Sequence, residues 1–197
     1  MPTRLGFPEY QHPPKMALIT GHFTLVNDRH HRIPQYRYIR EPHEKSTAKT
    51  SPPIIIDTIS TTYPSEGVSI AELVCTDIFD LTRFIAGGND LVMRRSGPNP
   101  INFRICWPGY HPSPPFVVEV ASGNGQWEIT RAELAKDIAI NIVKFLGMLR
   151  QDAMIQGADP RYSLYGLPSD AEERLRIVCL RNISGRDWQA DIDFCPF

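Results

Sequence analysis

Residues 130–151 constrain the fold more than any other stretch. Thr130-Arg131-Ala132-Glu133 has the spacing of a capping box, in which the Thr130 hydroxyl serves a first-turn amide and Glu133 reaches back to the cap. Ile129 and Leu134 flank it as a hydrophobic staple. Leu134, Ile138, Ile142, Phe145 and Leu149 then recur at helical spacing, and Ala135, Ala139 and Leu146 widen the stripe. Glu133, Asp137, Lys144 and Gln151 fall on the opposite side. An apolar face this broad is too costly to leave in water and suits the flat surface of a sheet.

The same grammar opens a second helix. Ser69-Ile70-Ala71-Glu72 reads as a capping box with Val68 and Leu73 as its staple. Ile70, Leu73, Val74, Ile78, Leu81, Phe84 and Ile85 form one stripe, and Gly87-Gly88 ends it, so a single helix is predicted. Period-two patterning supplies the sheet. Ile54–Ile59 is a β-branched run read as a buried strand, and Leu91–Arg94 leads into a proline-rich turn. Ile101, Phe103, Ile105 and Trp107 alternate with polar neighbours before Pro108-Gly109, and Phe116–Val120 follows. In the last stretch Leu175, Ile177 and Cys179 are predicted on one face. A turn at Ser184–Asp187 leads to Trp188, Ala190, Ile192 and Phe194 on one face of a closing strand. The expected class is α+β: a mostly antiparallel sheet covered on one face by two main helices, with an irregular N-terminal extension.

That extension, residues 1–53, differs in composition from the domain at 54–197. It holds eight of the 18 prolines. Residues 1–52 carry 8 Lys+Arg against 4 Asp+Glu, whereas residues 53–197 carry 13 against 18. Short strands are expected at Met16–Val26 and Arg37–Ile39. A basic arm on an acidic body packs on that body or reaches an acidic partner. Phe7, Tyr10, Phe23, Tyr36 and Tyr38 favour packing, either on its own domain or on a second copy through strand addition. Arg29, His30, His31, Arg32, Arg37, Tyr38 and Arg40 interleave charge with aromatics as single-strand nucleic-acid platforms do, but a pI near 6.6 disfavours a dedicated binder. Without a run of about 18 apolar residues a membrane span is excluded. Four cysteines without a CxxC pair, and no signal segment, point to free buried thiols in cytoplasm or nucleus.

Four separated motifs carry a resemblance. Asn102–Tyr110 (NFRICWPGY), Ile129–Ala135 (ITRAELA), Asp159–Tyr162 (DPRY) and Ser184–Gln189 (SGRDWQ) occur in that order. Together they resemble a family of uncharacterised proteins from basidiomycete fungi over roughly residues 65–195. The resemblance implies a fungal source and no particular activity. Tyr110–Pro115 (YHPSPP) is also similar to the proline-rich turn of ubiquitin-conjugating folds. Neither the His-Pro-Asn segment nor a suitably placed cysteine follows, which removes that reading.

Candidate chemistry centres on Trp107, Tyr110 and His111. A rigid turn with two aromatics and an imidazole could grip a peptide or a flat ligand, while Trp107 alone is explained by the inward face it continues. Cys106 lies near His111 in sequence, but nothing places a base or an amide-lined hole beside it. GxSxG, P-loop and dinucleotide loops are absent, as are HExxH and paired CxxC spacings. His22, His30, His31 and His43 lack the spacing of a zinc site, and the adjacent His30-His31 between Arg29 and Arg32 reads as a solvated basic patch, so neither metal nor cofactor is expected. The expected function is non-enzymatic: ligand or protein binding, with Tyr110, His111, Trp107, Arg37, Tyr38 and Arg40 as candidate contacts. The alternatives are a small-molecule enzyme with a pocket at Trp107–His111, and weak nucleic-acid binding through the arm.

Overall fold

A computed structural model describes residues 31–35, 51–59, 67–93, 100–121, 128–150, 152–165 and 170–195. Its centre is a hairpin of the two longest strands, β6 (Leu175–Ser184) and β7 (Asp187–Phe194). The outer edge of β6 takes two short antiparallel strands in succession, β3 (Val68–Ser69) against Arg176 and Ile177, then β2 (Ile54–Ile55) against Cys179 and Leu180. The outer edge of β7 is shared likewise. β1 (His31–Arg32) pairs antiparallel with Asp193 and Phe194, and β4 (Ile101–Arg104) runs parallel along Asp187–Gln189. β5 (Phe116–Val118) adds to β4, giving a mixed, mostly antiparallel sheet. The α+β class is as the sequence predicts. His31 and Arg32 complete the chain's own sheet, while the expected strands at 16–26 and 37–39 lie outside the described residues.

The long helix α3 (Arg131–Leu149) forms as its pattern requires. Thr130 Oγ1 accepts from Glu133 N at 3.3 Å, and Thr130 N donates to Glu133 Oε2 at 2.8 Å. All eight residues of the expected stripe are buried, in one core with Ile101, Phe103, Trp188, Ala190 and Ile192 of the sheet. Asp137 and Lys144 are exposed.

The first helix departs from expectation by dividing into α1 (Ile70–Cys75) and α2 (Ile78–Phe84). Thr76 is extended, and the Asp77 carboxylate accepts from Phe79 N at 2.8 Å, so Asp77 caps a new helix. Lys136 of α3 fills the break, donating to the carbonyls of Val74 at 3.0 Å and Thr76 at 2.6 Å. Carbonyls at a helix C-terminus have no partner within the helix, and the ammonium supplies one. Phe84, predicted inward, is 37 % exposed as a result. Ser69 Oγ still accepts from Glu72 N at 3.3 Å.

Two further differences concern the strands. Ile54–Ile59 is regular for only two residues. Beyond them Ile56 N donates to Val178 O and Thr58 bridges to Ile85, so the segment crosses from the sheet to the end of α2. In β6, Ile177 faces Ile192 and Cys179 faces Asp191, which leaves Val178 as an extra residue. This bulge reverses the alternation that follows it. Leu180 takes the core position, and Cys179 turns to the other face. The described residues contain no helix long and apolar enough to cross a membrane.

Candidate functional site

The WPGY turn is fastened on three sides by the segment 152–165. Trp107 Nε1 donates to the Tyr162 carbonyl at 2.9 Å, Leu164 N donates to Tyr110 Oη at 2.8 Å, and Ile155 N donates to Gly109 O at 2.8 Å. Gly109 has φ +84°, and a Cβ there would sit 2.4 Å from Met154 Cε and 3.1 Å from Ala158 Cβ. Both the backbone and the close approach therefore call for glycine. Trp107 (4 % exposed) and Tyr110 (3 %) belong to the core, and the Trp107 ring lies 6.5 Å from that of Phe145. His111 is exposed and lines neither described cavity. Thus Trp107, Tyr110 and His111, predicted as one contact surface, are separated. Tyr110 uses its hydroxyl internally, His111 faces outward, and only Trp107 meets a cavity. Arg37, Tyr38 and Arg40 lie outside the described residues, as do His22, His30 and His43.

That cavity, of about 290 Å³, opens at the end of the sheet on its helix-covered face. Its apolar wall is made by Ile33, Trp107, Tyr162, Leu175 and Phe194, with Ala171 at the start of α4 (Ala171–Arg174). Leu175 and Phe194 are register partners, and His31 pairs with Phe194, so β1, β6 and β7 meet here. The 3-10 turn Pro160–Tyr162 closes the opposite side, held by Asp159, whose carboxylate accepts from Arg161 N at 3.0 Å.

The polar lining consists of His31, Arg32, Arg161 and Ser163; no described acidic residue lines the cavity. Arg32 sends its guanidinium to the far face of the sheet, bonding Asp193 and, at 2.7 Å, Asp191. Burial pulls its pKa down, and the two carboxylates outweigh that and leave it raised. Arg161 is at the rim. It donates to Asp159 at 2.6 Å and lies over the Tyr162 ring at 5.9 Å. The hydrogen bond from Arg161 holds the Asp159 carboxyl below its ordinary range. Ser163 Oγ accepts from Tyr165 N at 3.2 Å.

On the far face, β7 presents Asp187, Gln189, Asp191 and Asp193 in alternation. Arg104 Nε reaches Asp187 at 2.7 Å, and Arg181 and Cys179 both donate to Asp191, at 2.8 and 3.2 Å. Beside them a more open polar hollow of about 370 Å³ is lined by Gln35, Arg181, Gln189 and Asp191. None of the described His, Cys, Asp and Glu residues groups in a way that could hold a metal ion.

The four cysteines are free. Cys106 and Cys179 are buried as expected, whereas Cys75 is exposed and Cys195 half-buried. Burial pushes the Cys106 thiol up to about 11. Burial, with Asp191 adding to it, takes Cys179 to about 12. Both are neutral thiols at neutral pH, and Cys106 is a poor nucleophile. An unfolded thiol titrates near 9.0. Because the folded values are raised, the contribution to stability is complete below pH 9 and is lost as pH rises toward 11. Urea unfolding at pH 8 and about 10.5 should show a loss of roughly 3–4 kcal/mol from the two thiols together, about half of it absent in Cys106→Ala.

No protein-family model, no curated protein and no solved structure matches this chain. The cavity draws its walls from residues 31–33, 107, 161–163, 171, 175 and 194, so no local motif announces it. The sequence signals that touch it are Trp107 at the end of an inward-facing strand, the His31-Arg32 pair of the basic arm and the Asp159–Tyr162 motif, and none of them marks a shared cavity.

Proposed function

We propose that this chain is a non-enzymatic binding protein that holds a small, largely apolar ligand in the cavity beside Trp107. The observation carrying this reading is the cavity itself. Its volume lies at the lower end of ligand-site sizes, its wall is largely apolar and aromatic, and a few polar groups from β1 and the 3-10 turn are included in the lining. Its polar groups are engaged in holding structure: Ser163 closes a turn, Arg32 is bound to two aspartates, and the Trp107 indole N–H is bonded to Tyr162. Such a wall binds and orients; it does not by itself activate a nucleophile. Membership of the basidiomycete family, self-association through residues 1–53 and nucleic-acid contact through Arg37, Tyr38 and Arg40 rest on sequence alone.

The test uses neutral aromatic probes. Indole and 2-naphthol, titrated against full-length protein by calorimetry, should bind with micromolar to millimolar affinity. Ala171→Leu places extra methyl groups in the cavity. It should reduce this binding at least about tenfold, with a cooperative thermal-unfolding transition showing that the variant, altered at a buried position, is folded. Equal binding to both proteins would remove the reading.

A further inference from the structure

The cavity has a chemical polarity that its volume alone does not convey. Three aromatic rings, Trp107, Tyr162 and Phe194, contribute to the wall, and the space equals about ten water volumes at ~30 Å³ each. An occupant of roughly ten non-hydrogen atoms with a flat body suits those dimensions. Among the described lining residues the charged or chargeable side chains are those of His31, Arg32 and Arg161, all basic, beside the Tyr162 phenol. With the Arg32 guanidinium drawn to Asp191 and Asp193 on the far face, His31 and Arg161 stand at the mouth. Arg161 is already turned onto a carboxylate, that of Asp159, which it meets through Nε and Nη2 at 2.9 and 2.6 Å. Its side chain is 69 % exposed. An ion pair in that setting is weak and can exchange one carboxylate for another.

We propose that the cavity takes a small aromatic monocarboxylate, its ring among Trp107, Tyr162 and Phe194 and its carboxylate at the mouth beside Arg161 and His31. This deepens the binding reading above and rests on it. Asp159 acts as a placeholder: it keeps the guanidinium oriented along the Tyr162 ring and competes with the ligand's carboxylate. Charge-assisted bonds to a guanidinium are the stronger class of hydrogen bond, so ligand charge should decide affinity among molecules of one shape.

The experiment compares 4-phenylbutanoic acid, 4-phenylbutanamide and 4-phenylbutan-1-amine by calorimetry at about pH 7 on full-length protein. The acid should bind about three- to fivefold more tightly than the amide, and the amine more weakly than either. Arg161→Gln should reduce the acid-to-amide ratio to about two, with His31→Gln giving a smaller loss in the same direction. Asp159→Asn keeps an oxygen for the turn and should tighten acid binding about threefold without changing amide binding. The substituted side chains are exposed or at the rim, and equal unfolding temperatures identify folded variants. Equal affinities for all three probes would overturn the carboxylate assignment and leave the cavity reading standing. An acid preference undiminished in both Arg161→Gln and His31→Gln would overturn the assigned mouth. No binding of any probe would overturn both the assignment and the binding reading.

Discussion

Replacing Gly67 with alanine is expected to lower the unfolding free energy by at least about 3 kcal/mol, measured as a fall in urea midpoint at unchanged slope. Gly67 enters β3 with φ +74°, a conformation costing an L-residue about 1–2 kcal/mol. The larger contribution is steric. An alanine Cβ would lie 2.5 Å from the Ile177 carbonyl oxygen and 2.9 Å from its carbon, both backbone atoms. Ile177 precedes the β6 bulge and is paired to Ile192, so it has little room to retreat. Gly147 provides the contrast. It sits within α3 with no neighbouring atom within 4 Å of where a Cβ would stand, and alanine there should stabilise by about 0.5–1 kcal/mol through helix propensity. A Gly67→Ala protein as stable as the parent would show that β3 does not approach β6 this closely.

The second large effect is expected on the polar face. Arg104→Met should destabilise by about 2–4 kcal/mol, because it removes a charged partner from the buried Asp187 carboxylate. The Asp187 side chain is only 2 % exposed, and that of Arg104 17 %, so water does little to replace the lost partner. Asn102 Nδ2 donates to the same oxygen at 3.3 Å, but it brings no charge. Adding Asp187→Asn to Arg104→Met should recover a substantial part of the loss, since the double variant no longer buries a carboxylate without that cation. Denaturation of the two single variants and the double variant gives the coupling energy, and a value below about 1 kcal/mol would mean that the pair matters less than its burial indicates.

Much of the architecture was legible because local signals agreed with tertiary need. Thr130 and Glu133 mark the start of α3, and its stripe is buried at every predicted position. Ile101 and Phe103 alternate inward as their spacing implies, but the strand ends at Arg104 and Ile105, Cys106 and Trp107 are buried in succession, so the predicted alternation stops short of the turn. The failures have physical causes. Thr76-Asp77 sits inside an uninterrupted apolar stripe, and only the cap geometry shows that the chain restarts there. Val178 is apolar like its neighbours, so nothing in the pattern marks it as the bulge that turns Cys179 away from the core. The parallel pairing of β4 with β7 joins residues far apart in the chain, as in Asn102 with Asp187, and period two carries no information about partner choice. The candidate site was the least legible part. Trp107 was singled out, but Arg161, Tyr162 and Phe194 acquire a role only when separate segments converge on it.

The central hairpin also sets a schedule. Residues 175–194 supply the two strands that β1, β2, β3 and β4 all need as neighbours. During translation those earlier strands emerge first and have no template. α3 can form its own backbone hydrogen bonds at once, yet part of its apolar stripe must wait for a surface to cover. On a ribosome adding about 5–20 residues each second, the roughly 45 positions from Leu149 to Phe194 leave the part of that stripe facing the central hairpin uncovered for seconds, while α1, α2 and β5 are already available to it. Nascent chains of this protein should therefore depend on chaperones until the last strand is released.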